Sequence, residues 1–401
     1  MRSNYKKIGD FIEQVDKKNN NLSVKTLLGV SIDKKFIPSV ANINGVDLSI
    51  YKIIQKDQFA CKLMSVGRDK QLPVDILRNY QEAIVSPAYY VFKSLNIDVL
   101  NPEYLMMWLS RKETDRWVGY ISGGDVRGGI SWDQFCEMPI IVPSIEKQQE
   151  IVREYNVISE SIKLNENFNQ KLEEAVQAIY KHWFVDFEFP IQKKYAEEIG
   201  KPKLEGKPYK SSGMNMVWND ELEVEMPEHW KCSRLDEFAL ISAGGDRPKV
   251  FSDYKSKDCP IPIYSNSTDN EGLYGFTNKP KVKQNSITVS ARGAIIGYTV
   301  LRLKPFVPII RLVVIKPKSE FFLNYLFESV KKFRYNNEAS AQGQLTVPDI
   351  SSFKLANPGQ EILLRFQNLT FRIIEIIEVN KSQNRNLREL LKVLHSKMSK
   401  V

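Results

Sequence analysis

The chain has 401 residues, 42% hydrophobic and 26% charged, an ordinary globular balance with room for two or three domains. No apolar run approaches the roughly 18 residues of a membrane span, and the opening MRSNYKKIGDFIEQVDKKNN has no signal-peptide core, so a cytoplasmic, membrane-free protein is expected. The formal net charge of +9 suggests a polyanion such as nucleic acid, with plain solubility as the bland alternative.

Residues 1–142 read as a mixed α/β globular unit. YKKIGDF at 5–11 opens it as a strand or helix turn, and YYVF at 89–92 reads as a strand. Helices are expected over 76–84 and 103–111. Two polar, glycine-bearing loops stand out, SVGRDKQ at 65–71 and SGGDVRGG at 122–129. Loops on a rigid scaffold are where binding residues concentrate. Asn101-Pro102-Glu103-Tyr104 resembles the Asn-Pro-Pro-Tyr loop of amino-methyltransferases, but Glu103 replaces a proline and no glycine-rich cofactor loop precedes it. A helix N-terminus is the better reading.

Residues 143–186 predict a long helix. Ile151, Ile158, Asn165, Leu172 and Ile179 fall seven apart, and Tyr155, Ile162, Asn169, Val176 and Trp183 form a second row four residues on. Two apolar rows at heptad spacing, with Glu, Lys, Gln and Asn between them, mark a coiled-coil seam. Residues 187–226, rich in Lys, Glu, Pro and Gly, read as a connector. Residues 227–357 form a second globular unit. WKCSRLDEFALI at 230–241 echoes the first entry, with Leu235 standing for Ile8 and Phe238 for Phe11. SITVS at 286–290 and the run 309–315 predict strands. FFLNYL at 321–326 aligns with YLMMWL at 104–109, and QGQL at 342–345 with RGGI at 127–130.

Residues 358–401 repeat the first long helix without a gap, at the constant offset of 215 that carries Asn165 to Asn380 and Asn169 to Asn384. A repeat this long means two copies of one unit, each ending in a long helix. Antiparallel pairing sets Asn165 against Asn384 and Asn169 against Asn380; the seam alone allows parallel pairing too. Asn at such positions costs stability and fixes register. The fold class is therefore α+β, two mixed α/β domains with two long helices and a pseudo-two-fold internal repeat. About 33 residues of seam at ~1.5 Å each give roughly 50 Å, or about 15 base pairs at ~3.4 Å.

The two helices, KHWFVDFEFP after the first, MPEHW opening the second unit, ITVSARGAIIG, and Gln-Gly-Gln-Leu ahead of the second helix together resemble the specificity (S) subunit of type I restriction–modification systems. The resemblance covers essentially the whole chain. It implies two target recognition domains, one for each half of a bipartite double-stranded DNA sequence. It implies helices that pair antiparallel as a spacer and dock two modification (M) subunits, with restriction (R) subunits completing the complex. S-adenosylmethionine, ATP and Mg are then expected on those partners and no cofactor here. The first unit departs from the pattern, having SVGRDKQ where the second has SARGAIIG.

Base edges are read by Arg and Lys on guanine and by Asn and Gln on adenine, while other basic groups hold phosphates. The candidates are Arg68, Lys70, Gln71 and Arg127 in the first unit. In the second they are Ser265, Asn266, Ser267, Asn270, Arg292, Gln342 and Gln344. No catalytic constellation, Walker A loop or metal-ligand spacing is present; Cys61, Cys136, Cys232 and Cys259 stand singly. The alternative is a coiled-coil scaffold whose globular units bind protein. A lone methyltransferase lacks its cofactor loop.

Overall fold

The structure is a computed structural model and describes residues 4–39, 45–64, 66–123, 128–333 and 344–398. The chain forms two compact units: Met1–Glu166 with Lys381–Val401, and Asn167–Asn380. Each unit is one globular domain plus one part of each long helix.

In the first unit, a four-stranded antiparallel sheet runs in the order Ile12–Val15, Tyr90–Ser94, Phe59–Cys61, Val74–Ile76. In the second, the order is Ala239–Ala243, Leu312–Pro317, Ser286–Ser290, Thr299–Arg302, also antiparallel. These two sheets share one topology, and several bonds recur at corresponding points. Ile8 N–H donates to Met138 O as Leu235 N–H donates to Phe353 O, and Ile130 N–H donates to Leu63 O as Leu345 N–H donates to Ala291 O. Ser131 and Gln134 form a capping box on the short helix Trp132–Cys136, as Thr346 and Asp349 do on Val347–Ser351. The equivalences of Leu235 with Ile8 and of 344–345 with 129–130 therefore hold in three dimensions.

Three expectations are corrected. Residues 76–84 are not helical: Ile76 pairs with Phe59 in one sheet and Ile84 with Ile53 in another, with a turn between. The β-branched and apolar residues at both ends find cross-strand partners, and that pairing outweighs local helix preference. The run 309–315 is not one strand; Val307–Pro308 and Leu312–Pro317 lie in different sheets. The alignment of 321–326 with 104–109 is four residues out. Tyr104 donates its buried hydroxyl to Ile141 O (3.0 Å), and the residue making the matching bond, to Ala356 O, is Tyr325. Both stretches are apolar helix, so composition alone left the register open.

Residues 187–226 are folded. Phe187, Phe189, Ile191, Ala196, Tyr209, Met214 and Met226 join Trp230 in the second core, and Phe189 stacks on Tyr209 at 4.8 Å. Aromatic packing orders this stretch despite its polar, aperiodic composition.

The long helices are Ile145–Phe184 and Gln360–Lys397. Within the first unit, Tyr155 stacks on His395, and Asn165 Nδ2 donates to Asn384 Oδ1 at 2.8 Å. Within the second, Asn380 Nδ2 donates to Asn169 Oδ1 at 2.8 Å and Trp183 meets Phe366. Partners on one helix fall as numbers rise on the other, so the pairing is antiparallel in each unit. Each helix also docks on the globular part. Buried Gln148 donates to Val99 O and Pro143 O and accepts from Asn101 N–H. Tyr180 bonds Ser329, and Asn324 bonds Thr370. Leu394 and Met398 sit in the first core, Tyr180, Phe184, Ile362, Leu363 and Phe366 in the second.

Candidate nucleic-acid interface

In the second unit, loop 265–272 leaves the strand Ile261–Tyr264 and folds back on itself. Ser265 N–H donates to Gly272 O at 2.8 Å, and Ser267 Oγ accepts from Asp269 N–H. Asn270 (φ 47°) and Glu271 (φ 56°) are left-handed, and Gly272 (φ +83°) leaves no room for a Cβ, which would lie 2.4 Å from Ser265 O. Beneath the loop lies Arg302, 4% exposed. It donates to Thr288 Oγ1 (3.1 Å) and Glu271 O (2.5 Å), and its guanidinium lies 3.6 Å from the centre of the Tyr264 ring. Burial lowers its pKa, opposed by Tyr264 and Glu271. The loop is thus pinned from below by a charge that water cannot reach.

Asn266 ties this loop to the next. Its Nδ2 donates to Arg292 O at 3.0 Å and its Oδ1 accepts from Ala291 N–H at 3.1 Å. Arg292, exposed, donates from Nε to Gln344 Oε1 at 2.6 Å, and the two residues form a backbone bridge. Three chain segments far apart in sequence thus bring Asn266, Arg292 and Gln344 together at one end of the sheet. Ser265 and Ser267 shape the loop, and Asn270 is exposed at its tip. Gln342 lies outside the described residues.

In the first unit, Gly67 N–H donates to Gly128 O at 2.9 Å, so the two polar loops meet. Gly129 is required there, since a Cβ would sit 2.7 Å from Met64 Cα. Arg68 is exposed, with Nε 2.7 Å from Asp69 Oδ1. Lys70 and Gln71 are exposed and border, with Lys112, Asp115 and Arg116, a cleft of about 450 Å³. Asp115 fixes the end of this loop by accepting from Leu72 N–H at 2.9 Å and from Lys34 Nζ at 2.7 Å. Lys34 is largely buried, and desolvation lowers its pKa although Asp115 opposes that. Arg127 lies outside the described residues. The loops therefore differ in construction: two left-handed residues over a buried Arg in one unit, a four-residue helix Val66–Asp69 beside a cationic cleft in the other.

Asn101 caps the helix Pro102–Leu109, its Oδ1 accepting from Glu103 and Tyr104 N–H, which accounts for Asn-Pro-Glu-Tyr without catalysis.

A family model for the type I restriction modification DNA specificity domain matches residues 227–389. The HindI specificity subunit of Haemophilus influenzae is 25% identical, over 91% of each chain. Over 227–389 the chain matches that domain model, and over most of its length it is similar to type I restriction enzyme specificity subunits. A specificity subunit of Mycoplasma pneumoniae, described as putative, is 31% identical over 41% of this chain and 48% of its own length. The crystal structure of the type I S subunit from M. genitalium shares the fold, with a TM-score of 0.59 and 12% identity over 98% of this chain and 95% of that one. Sequence reading missed Arg302; its signal was a charged residue inside the strand TVLR.

Proposed function

We propose that the two globular domains each read one half of a bipartite double-stranded DNA target. The paired helices set the separation of the halves and dock two methyltransferase subunits, to which restriction subunits add. One observation carries the reading: the same four-stranded sheet order and several equivalent bonds recur in both units, while the loops at one end differ. A shared frame with unlike loops suits two different sequences on one kind of ligand.

In the first unit Arg68, Lys70, Gln71 and Arg127 serve as base or phosphate contacts. In the second Ser265, Asn266, Ser267, Asn270, Arg292, Gln342 and Gln344 do so. Arg292 and Gln344 satisfy each other without ligand, so the pair must open, or turn as a unit, to address a base. Off the seam, Val157 and Leu164 on the first helix and Leu369 and Ile376 on the second are exposed apolar residues seven apart. They suit a docking face for methyltransferase subunits. Those subunits would hold S-adenosylmethionine, and ATP and Mg would act in the complete complex, in the cytoplasm where host DNA lies.

The test is to assemble the chain with its methyltransferase subunits and map methylated adenines across a genome. A motif of two specified halves around an unread spacer is expected. Absence of salt-sensitive DNA binding by that complex would overturn the reading and favour the protein-binding scaffold.

A further inference from the structure

We propose that Arg311 is a further DNA-reading residue of the second unit, its guanidinium addressing a guanine edge in that unit's half-site. The inference rests on the DNA-reading function proposed above.

Arg311 interrupts the apolar run VPIIRLVVI at 307–315. The chain changes sheets there: Val307–Pro308 runs parallel to the end of Ile261–Tyr264, and Leu312–Pro317 runs antiparallel to Ser286–Ser290. Between them Arg311 has φ 73°, the left-handed region. For an L side chain that conformation is disfavoured, and glycine is the residue that relieves it. The backbone around it is fixed on three sides. Arg311 O accepts from Ala291 N–H at 3.0 Å, Gly244 N–H donates to Leu312 O at 2.7 Å, and Ile309 N–H donates to Tyr264 O at 2.9 Å. The strain is therefore built in, and it persists at a residue with a long charged side chain.

The frame itself does not demand it. Phe92 pairs with Phe59 where Ile315 pairs with Ile287, which places Ala88 of the first unit where Arg311 stands in the second. Ala88 is not left-handed. The feature belongs to the second unit alone, as a reading residue would.

Its position is that of the candidate interface. The Ala291 N–H that bonds Arg311 O is the one that also bonds Asn266 Oδ1, and Arg292 follows directly. The Arg292 guanidinium is engaged by Gln344, whereas that of Arg311 is exposed with no side-chain partner among the described residues. A lysine on a relaxed backbone suffices for a phosphate. A planar fork held on a fixed backbone suits the paired O6 and N7 acceptors of guanine.

The experiment uses the full chain in complex with its methyltransferase subunits. It reads the methylation motif and, separately, DNA binding over a range of salt. Arg311→Gly fits φ 73°, so its thermal midpoint is expected at or above that of the wild type. It should lose preference at one position of one half-site by roughly 5- to 150-fold, the range of one bidentate base contact, with the other half intact. Arg311→Lys keeps charge and backbone and should lose the same preference; it carries the test if the glycine variant misfolds. An unchanged motif in both variants overturns the inference. So does weakening that is equal on all sequences with a shallower salt dependence, restored by lysine, which marks a phosphate contact. A wild-type complex with no sequence-restricted methylation overturns the underlying function, and this inference with it.

Discussion

Replacing Asn384 by Leu tests the seam. Asn384 is 3% exposed. Its Oδ1 accepts from Asn165 Nδ2 at 2.8 Å, and its Nδ2 reaches Ile162 O at 3.3 Å. The substitution leaves the Asn165 amide facing an aliphatic side chain. A stranded buried donor costs about 1–3 kcal/mol. The low end is expected, because Asn165 is only half-buried and keeps Gln383 Oε1 at 3.2 Å. Changing Asn165 to Leu as well removes the stranded group. The double variant should then be at least as stable as the Asn384→Leu single, with a coupling of about 0.5–3 kcal/mol between the sites. Urea unfolding of the full chain, followed for all four members of the cycle, measures this. Strictly additive losses, with the double variant the least stable, would refute the idea that the two asparagines act as a pair.

Exchanging residues 1–142 for the corresponding part of a relative should change one half of the methylation motif and leave the other; alteration of both halves would show that they are not read independently. One heptad added to each helix, between 166 and 167 and between 380 and 381, should widen the unread spacer by about three base pairs, since seven residues add ~10 Å; an unchanged spacer in the mapped motif would count against the helices as the ruler. Arg302→Met should destabilise the second unit by about 3 kcal/mol or more, because it strips Glu271 O and Thr288 Oγ1 of a buried charged donor; a thermal midpoint within a degree of wild type would contradict that. His395 stacks on the Tyr155 ring and feels the charges of Arg111, Glu113 and Lys34. Burial, then Arg111, lowers its pKa against the opposing Glu113, so the folded state favours the neutral ring. The stability it supports is present above its ordinary pKa and is lost as pH falls from that value through the lowered folded one, and His395→Phe should flatten this part of the stability–pH curve below neutrality.

Much was legible in the sequence because repetition and heptad spacing are local, one-dimensional signals. The gap-free offset of 215 settles that the chain is two copies of a plan, and the Asn positions restrict the register. Composition and the family motifs pointed to DNA. What only the tertiary structure decided depends on which segments meet. Ile76 and Ile84 become strand residues because Phe59 and Ile53 lie opposite them. Tyr325, not Phe321, matches Tyr104 because its hydroxyl finds the equivalent carbonyl. The direction of helix pairing needed coordinates, since Asn matches Asn either way. Above all, the grouping of Asn266, Arg292 and Gln344 over buried Arg302, with strained Arg311 at the same ladder end, joins positions that no spacing rule connects. Non-local pairing creates that geometry, and a sequence pattern records only what lies within a few turns of itself.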